Sequence, residues 1–113
     1  MTKPPKDLGP AGRRLFTSIA DEFDMEIFEQ QLLQEAARCA DRLDALAAAQ
    51  KGADLVITNS RGDLVTSPLL VEGRSQAIVL TRLLASLRLP SGETDQRPQR
   101  RGAARGAYSA RSA

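Results

Sequence analysis

Apolar positions along the chain form three helical patterns and one alternating stretch. Leu15, Phe16, Ile19 and Phe23 recur at helical spacing behind Gly9-Pro10 and predict a short first helix ending near Glu22. Proline suits the first helical position, where the amide is unpaired in any case. Asp24 then reads as the N-cap of a second helix, with Glu26 in its first turn. From Met25 to Gln50 there is neither Pro nor Gly, and Ala, Leu, Glu, Gln and Arg, all good helix formers, dominate. Leu32, Ala36, Cys39, Leu43 and Leu46 step alternately by four and three, a heptad seam that Met25 and Phe28 extend at the front. Ala36, Ala40 and Ala47 leave room for another helix to approach closely. Gly52 ends the pattern.

The next stretch changes period. Leu55-Val56-Ile57-Thr58 and Leu64-Val65-Thr66 are strand-like and flank the turn residues Asn59-Ser60-Arg61-Gly62, which predicts a β-hairpin with a loop of about four residues. A lone hairpin is marginal in water, so this one is expected to pack on the helices or to pair with a neighbouring subunit. Ser67-Pro68 supplies an N-cap and a first-turn proline for a third helix that runs to about Arg88 and stops at Pro90. Its seam reads Leu70, Gly73, Ala77, Leu80, Leu84 and Leu87. Val71, Ile78 and Leu83 broaden the apolar stripe beyond what one partner helix would cover. Gly73 costs roughly 1 kcal/mol in a helix interior and reads as the mark of a tight helix crossing.

The expected fold is therefore mainly α: a short N-terminal helix, two long antiparallel helices with a small β-hairpin between them, and a disordered basic tail. The expected division is a flexible N-terminal lead over 1–8, a helical domain over 9–90 and the tail over 91–113. A folded body of some 80 residues has a small core, for which oligomerisation is a natural supplement.

Composition narrows the chemistry. Among 113 residues there is no His and a single Cys, with three Phe, one Tyr and no Trp. Every His-dependent mechanism, an internal disulfide and a cysteine zinc site are thereby excluded. No apolar run approaches the 18 or so residues of a membrane span, and residues 1–10 carry no apolar stretch of a secretory signal. The expectation is a soluble intracellular protein, not an enzyme, with no cofactor.

Charge is unevenly spread. Lys3, Lys6, Arg13 and Arg14 stand against Asp7 at the front, and Arg97, Arg100, Arg101, Arg105 and Arg111 against Glu93 and Asp95 at the end. Residues 15–90 hold seven basic and eleven acidic side chains, within a net charge of +2 for the whole chain. An acidic body thus carries two basic ends. Such ends meet phosphate or an acidic partner surface, or serve as solubilising tails. On this charge argument Lys3, Lys6, Arg13, Arg14, Arg97, Arg100, Arg101 and Arg105 are the candidate DNA contacts. With Tyr108 the only aromatic there, base stacking is not indicated, and contact would be to phosphate.

The remaining features have plain structural readings. Arg61-Gly62-Asp63 is the adhesion tripeptide, but sits where a hairpin turn needs Gly62 and solvated flanks. Cys39 reads as a small buried hydrophobe on the seam. Asp21, Glu22, Asp24, Glu26 and Glu29 gather at a helix start, where carboxylates are favoured without any metal. Glu35, Arg38, Asp41, Arg42 and Asp44 alternate in sign at helical spacing, either a solvated face or an intersubunit charge pattern.

Five blocks in order resemble the small terminase subunits of tailed phages and prophages, especially those of actinobacterial hosts. Leu8-Gly9-Pro10-Ala11-Gly12-Arg13-Arg14-Leu15-Phe16 is similar to their start, and Glu35-Ala36-Ala37-Arg38-Cys39-Ala40-Asp41-Arg42-Leu43 to their central helix. Ser60-Arg61-Gly62-Asp63-Leu64-Val65 resembles their hairpin, and Ser67-Pro68-Leu69-Leu70-Val71-Glu72 with Leu83-Leu84-Ala85-Ser86-Leu87-Arg88-Leu89-Pro90 their last helix. The Arg/Gly/Ala tail is also similar, so the resemblance covers about residues 8–106. Gly73 departs from it, since relatives carry a better helix former there. The resemblance implies a non-catalytic subunit that recognises the packaging site on double-stranded viral DNA, assembles into a homo-oligomeric ring and recruits the large ATPase–nuclease subunit. It implies no membrane and no small-molecule substrate, and a phage- or prophage-encoded protein in the bacterial cytoplasm. The alternative reading is a small helical interaction module, an antitoxin or coiled-coil adaptor whose tail folds on a protein partner.

Overall fold

A computed structural model of the chain describes residues 2–90. The tail over 91–113, with Arg97, Arg100, Arg101 and Arg105, lies outside the described residues. The elements follow in the order α1 (Pro10–Ala20), α2 (Ile27–Gln50), β1 (Val56–Thr58), β2 (Leu64–Thr66) and α3 (Pro68–Leu87). The mainly helical fold with a two-stranded antiparallel sheet between the long helices agrees with the sequence pattern.

The start of α2 and the end of α3 share one core: Leu33 and Ala37 from α2 meet Leu87 from α3, with Leu32 and Leu84 beside them. The end of α2 and the start of α3 share a groove lined by Leu43, Leu46, Ala47 and Gln50 on one side and Leu69, Leu70 and Gly73 on the other. The two helices are therefore antiparallel. Helix α1 crosses α2 at the base and adds Phe16, Ile19 and Ala20, while Leu8 and Phe23 close the core from either side. Phe16 and Leu33 are wholly buried; each stabilises the fold by about 2 to 3 kcal/mol through burial alone.

The core explains where the helix ends differ from expectation. α1 stops at Ala20, two residues before Glu22, because the amides of Glu22 and Phe23 both turn back to the carbonyl of Ile19. This tight turn brings Phe23 into the core. Asp24 does not cap α2. The chain stays extended to Glu26, which places Met25 against the core, and Glu26 itself is the N-cap. Its side chain accepts the Glu29 amide, and Glu29 accepts the Glu26 amide at 2.9 Å in a reciprocal capping box. The far end of α2 closes as expected, with Gly52 at φ 78 just past it.

The seam of α3 departs from the sequence pattern at one position. Leu69, Gly73, Gln76, Leu80, Leu83 and Leu87 turn inward or are partly covered, with Leu70 and Leu84 beside them. Ala77 is exposed, and Gln76 takes the place it was expected to fill. The Gln76 amide donates to Glu72 at 2.9 Å, so its aliphatic stem lies in the seam with one polar end tied down. Gly73 marks no crossing within the chain: a Cβ added there meets nothing within 4 Å. The close approach is elsewhere. A Cβ on Gly12 would lie 2.5 Å from the Ala37 carbonyl oxygen. Gly12 in α1 thus lets the backbones of α1 and α2 approach closely. Ala36 is buried, but Ala47 is exposed and only lines the groove. Phe28, expected to extend the α2 seam, is 48% exposed.

The hairpin pairs Val56 with Thr66, Ile57 with Val65 and Thr58 with Leu64. Its loop, Asn59 to Asp63, is one residue longer than expected, closed by the Asn59 amide on the Asp63 carbonyl at 2.9 Å. The side-chain oxygen of Asn59 accepts the amides of Arg61 and Asp63, and Gly62 takes φ 85. Arg61-Gly62-Asp63 is thus a self-contained turn. The base of the hairpin is fixed by Ser67, whose amide donates to the Leu55 carbonyl at 2.7 Å and whose hydroxyl meets Gln50 at 3.2 Å. The same hydroxyl accepts the Leu69 amide and caps α3, as expected.

Candidate functional site

Two surfaces carry features that the core does not need. The first is the basic face around the start of α1. Lys3, Lys6, Arg13 and Arg14 are all exposed. Arg13 donates to the Leu8 carbonyl at 3.0 Å, which ties the lead to the helix. Asp7, the one acid nearby in sequence, is taken up by Arg38 at 3.1 Å. Arg38 also pairs with Glu35 one turn earlier on α2. The hydrogen bond from Arg38 holds the Asp7 carboxyl below its ordinary range, and Asp7 in turn raises the Arg38 guanidinium. With Asp7 paired to Arg38, Lys3, Lys6, Arg13 and Arg14 make no ion pair among the described residues.

The helix start at the centre of this face is already occupied. The Asp41 carboxylate, from α2, accepts the amides of Gly9 and Gly12 at 2.7 Å each. Gly9, the N-cap of α1, has no side chain to do so, and the cap is supplied from about thirty residues away. Anions favour helix starts because the amides there are unpaired. Here a carboxylate of the same chain fills that role, so the amides of Gly9 and Gly12 are already taken. Sequence reasoning missed Asp41, since nothing local to it distinguishes it from Asp44.

The sign-alternating residues of α2 therefore do different things. Glu35 and Arg38 form the ion pair just described. Asp41 caps α1. The Arg42 guanidinium lies 3.9 Å from the buried Cys39 sulfur. Asp44 is exposed and makes no ion pair within the described residues. At the junction of α1 and α2, Glu29 turns inward to cap α2. Among the described residues no group of three or more such side chains is placed to hold a metal ion.

The second surface is the arm formed by the tip half of α2, the hairpin and the tip half of α3. The core ends where α1 ends its crossing of α2. Above it the arm is only two helices thick. Leu55, Val56, Leu64, Val71, Ile78 and Val79 are exposed, Leu64 to 77%. The hairpin lies on neither helix, so the first of its two expected outcomes is not met within the chain. The groove between the helices at the tip has a volume of about 240 Å³, and Leu46, Gly73 and Arg74 are among the residues that line it. Of the expected seam, Ala36, Cys39 and Leu87 are buried, whereas Leu32, Leu43, Leu46, Leu70, Leu80 and Leu84 are only partly so. No helix among the described residues is long and apolar enough to cross a membrane.

Comparison with family models, with curated proteins and with solved structures finds no match to the chain.

Proposed function

We propose that this chain is the small terminase subunit of a tailed phage or prophage: a non-catalytic, DNA-binding homo-oligomer. In this reading it selects double-stranded viral DNA for packaging and recruits the large ATPase–nuclease subunit in the bacterial cytoplasm. The observation that carries the reading is the arm. Its aliphatic side chains at Leu55, Val56, Leu64, Val71, Ile78 and Val79 are covered by nothing in the same chain among the described residues. Leaving such a surface in water forfeits about 25 cal/mol for each Å² that assembly would bury. A patch of this kind marks an interaction site, and a ring of identical copies covers it on every subunit.

Further support comes from the basic face around the start of α1. Arg13 and Arg14 project from a helix that is braced on the core, and Lys3 and Lys6 lie exposed in the segment that leads into it. They suit the phosphate backbone, and the residues between them offer no aromatic ring for base stacking. The order of the five sequence blocks agrees with the same reading. The experiment is to measure the mass of the purified protein and its affinity for duplex DNA from the packaging region at low salt. An oligomer of many copies that binds with a steep salt dependence is expected. A monomer that ignores DNA overturns the proposal. A dimer whose tail folds on a protein partner would favour the antitoxin or adaptor alternative.

A further inference from the structure

We infer that successive copies join arm to arm, head to tail: the outer face of α3 lies on the tip half of α2 of the next copy, and β2 pairs along its free edge with the next copy's β1. This rests on the oligomeric reading above and names the surfaces that reading leaves open.

The outer face of α3 carries Val71, Ile78 and Arg82 at helical spacing, on the side away from the Gly73, Gln76 and Leu80 seam, and Arg74 stands at its flank beside the groove. Val71 and Ile78 are 41% and 46% exposed, and neither arginine makes an ion pair within the described residues. The face is thus an aliphatic ridge set between two guanidinium groups, with no acid on it. Two such faces would repel, so α3 does not pair symmetrically with α3 of another copy. Its complement is on α2. Helix α1 covers α2 only as far as Asp41, and beyond it Asp44, Ala47 and Ala48 are exposed. Small side chains there let a ridge approach closely, around a carboxylate that has no ion-pair partner among the described residues. The levels also agree. Arg74 lines the same groove as Leu43 and Ala47, so it stands at the height of Asp44 along the arm. A rotation about an axis parallel to the arm preserves that height and brings Arg74 of one copy to Asp44 of the next. Contacts between two different faces generate rings when the rotation closes.

The hairpin gives a second, independent reason for choosing another copy as the occupant. The bonds from Ser67 to Leu55 and from Asn59 to Asp63 fix the alternation of the ladder. Val56, Thr58, Leu64 and Thr66 consequently turn their backbone groups outward, at the two edges of a sheet that has only two strands. Open edges of this kind are templates for pairing with another chain. Strand β1 continues from α2 and β2 leads into α3. The arrangement that sets α3 against the next α2 therefore sets β2 against the next β1, again antiparallel. One operation has to satisfy the charges, the ridge and the sheet edges together, with the sheet nearer the rotation axis than the helices, because strands pair at about 5 Å and helices pack at about 9 Å.

The test uses Asp44→Arg and Arg74→Asp in the full-length chain, separately, combined in one chain, and as a one-to-one mixture with one variant isotope-labelled. Both positions are exposed, so each variant is expected to keep the wild-type circular dichroism and melting temperature within a few degrees. Each single variant should need at least about tenfold more protein to assemble, the loss of one oriented charge pair with repulsion in its place. The combined variant and the mixture should both regain assembly, the mixture with equal numbers of labelled and unlabelled copies in the native mass spectrum. Single variants that assemble like wild type, or a mixture that stays apart, overturn the inference and leave the oligomeric reading standing. A wild-type chain that is monomeric with and without DNA overturns both.

Discussion

Replacing Asp41 by Ala removes the one group that ties α1 to α2 by hydrogen bonds at both Gly9 and Gly12. The cost follows from the geometry. Two amide-to-carboxylate bonds of 2.7 Å are broken, and bonds to a charged group contribute about 1.5 to 3 kcal/mol each when nothing replaces them. Water can replace the one at Gly9, which is partly exposed, but not readily the one at Gly12, which is buried. The expected destabilisation is thus about 3 kcal/mol. For a domain of this size, 1 kcal/mol shifts the melting temperature by about 4 to 8 °C, so a drop of about 15 °C is expected. Asp41→Asn offers a single acceptor oxygen for two donors and should recover half of the loss at most. Gly12→Ala attacks the same packing from the other side, since its Cβ would stand 2.5 Å from both the Ala37 carbonyl and the Asp41 carboxylate. Once α1 has been displaced by either change, the other has little left to disrupt. The double variant should therefore cost clearly less than the two single changes added together. Thermal and urea unfolding followed by circular dichroism measure all four proteins. A loss below 1 kcal/mol for Asp41→Ala, or simple additivity with Gly12→Ala, would refute the reading of Asp41 as the remote cap.

Leu33→Ala, at a wholly buried position, should destabilise by about 3 kcal/mol in the same assay. Gly73→Ala should do the opposite and stabilise by about 1 kcal/mol, because the helix gains propensity and the new methyl meets nothing within 4 Å. The Asp7 carboxyl is held below its ordinary range by Arg38. Its contribution to stability is therefore complete above that range and is lost as the pH falls through the lowered value. Asp7→Asn should flatten the stability profile in that acidic window and leave neutral pH almost unchanged, the pair being exposed. Neutralising Lys3, Lys6 and Arg14 should lower the slope of log affinity for duplex DNA against log salt by about 0.9 for each phosphate that is no longer neutralised, with unfolding unaffected. The same measurement on a variant neutral at Arg97, Arg100, Arg101 and Arg105 reports whether the tail belongs to the DNA footprint.

Elements whose signal is local could be read from the chain alone. Ser67-Pro68 opens α3, Gly52 follows α2, and the β-branched run over 56–58 forms a strand, because caps, glycine and strand residues act within a few positions of themselves. What could not be read depends on residues far apart in sequence. Asp24 is the better N-cap by type, yet the need to seat Met25 on the core moves the cap to Glu26. Ala77 and Gln76 differ by one position, and an alanine weighs too little to fix the phase of a seam. Gln76 wins because its stem is apolar and its amide has Glu72 one turn away. Asp41 is indistinguishable in sequence from Asp44, and only the crossing of α1 gives it a role. The basic front was legible as charge. The acceptance of its helix amides by Asp41 was not.

The mass of the purified wild-type assembly, by native mass spectrometry at low salt with and without duplex DNA, bears most directly on the proposal. A closed oligomer of many identical copies that takes up DNA is the expected result. A chain that remains a monomer under both conditions, its arm exposed and its basic face empty, would contradict it.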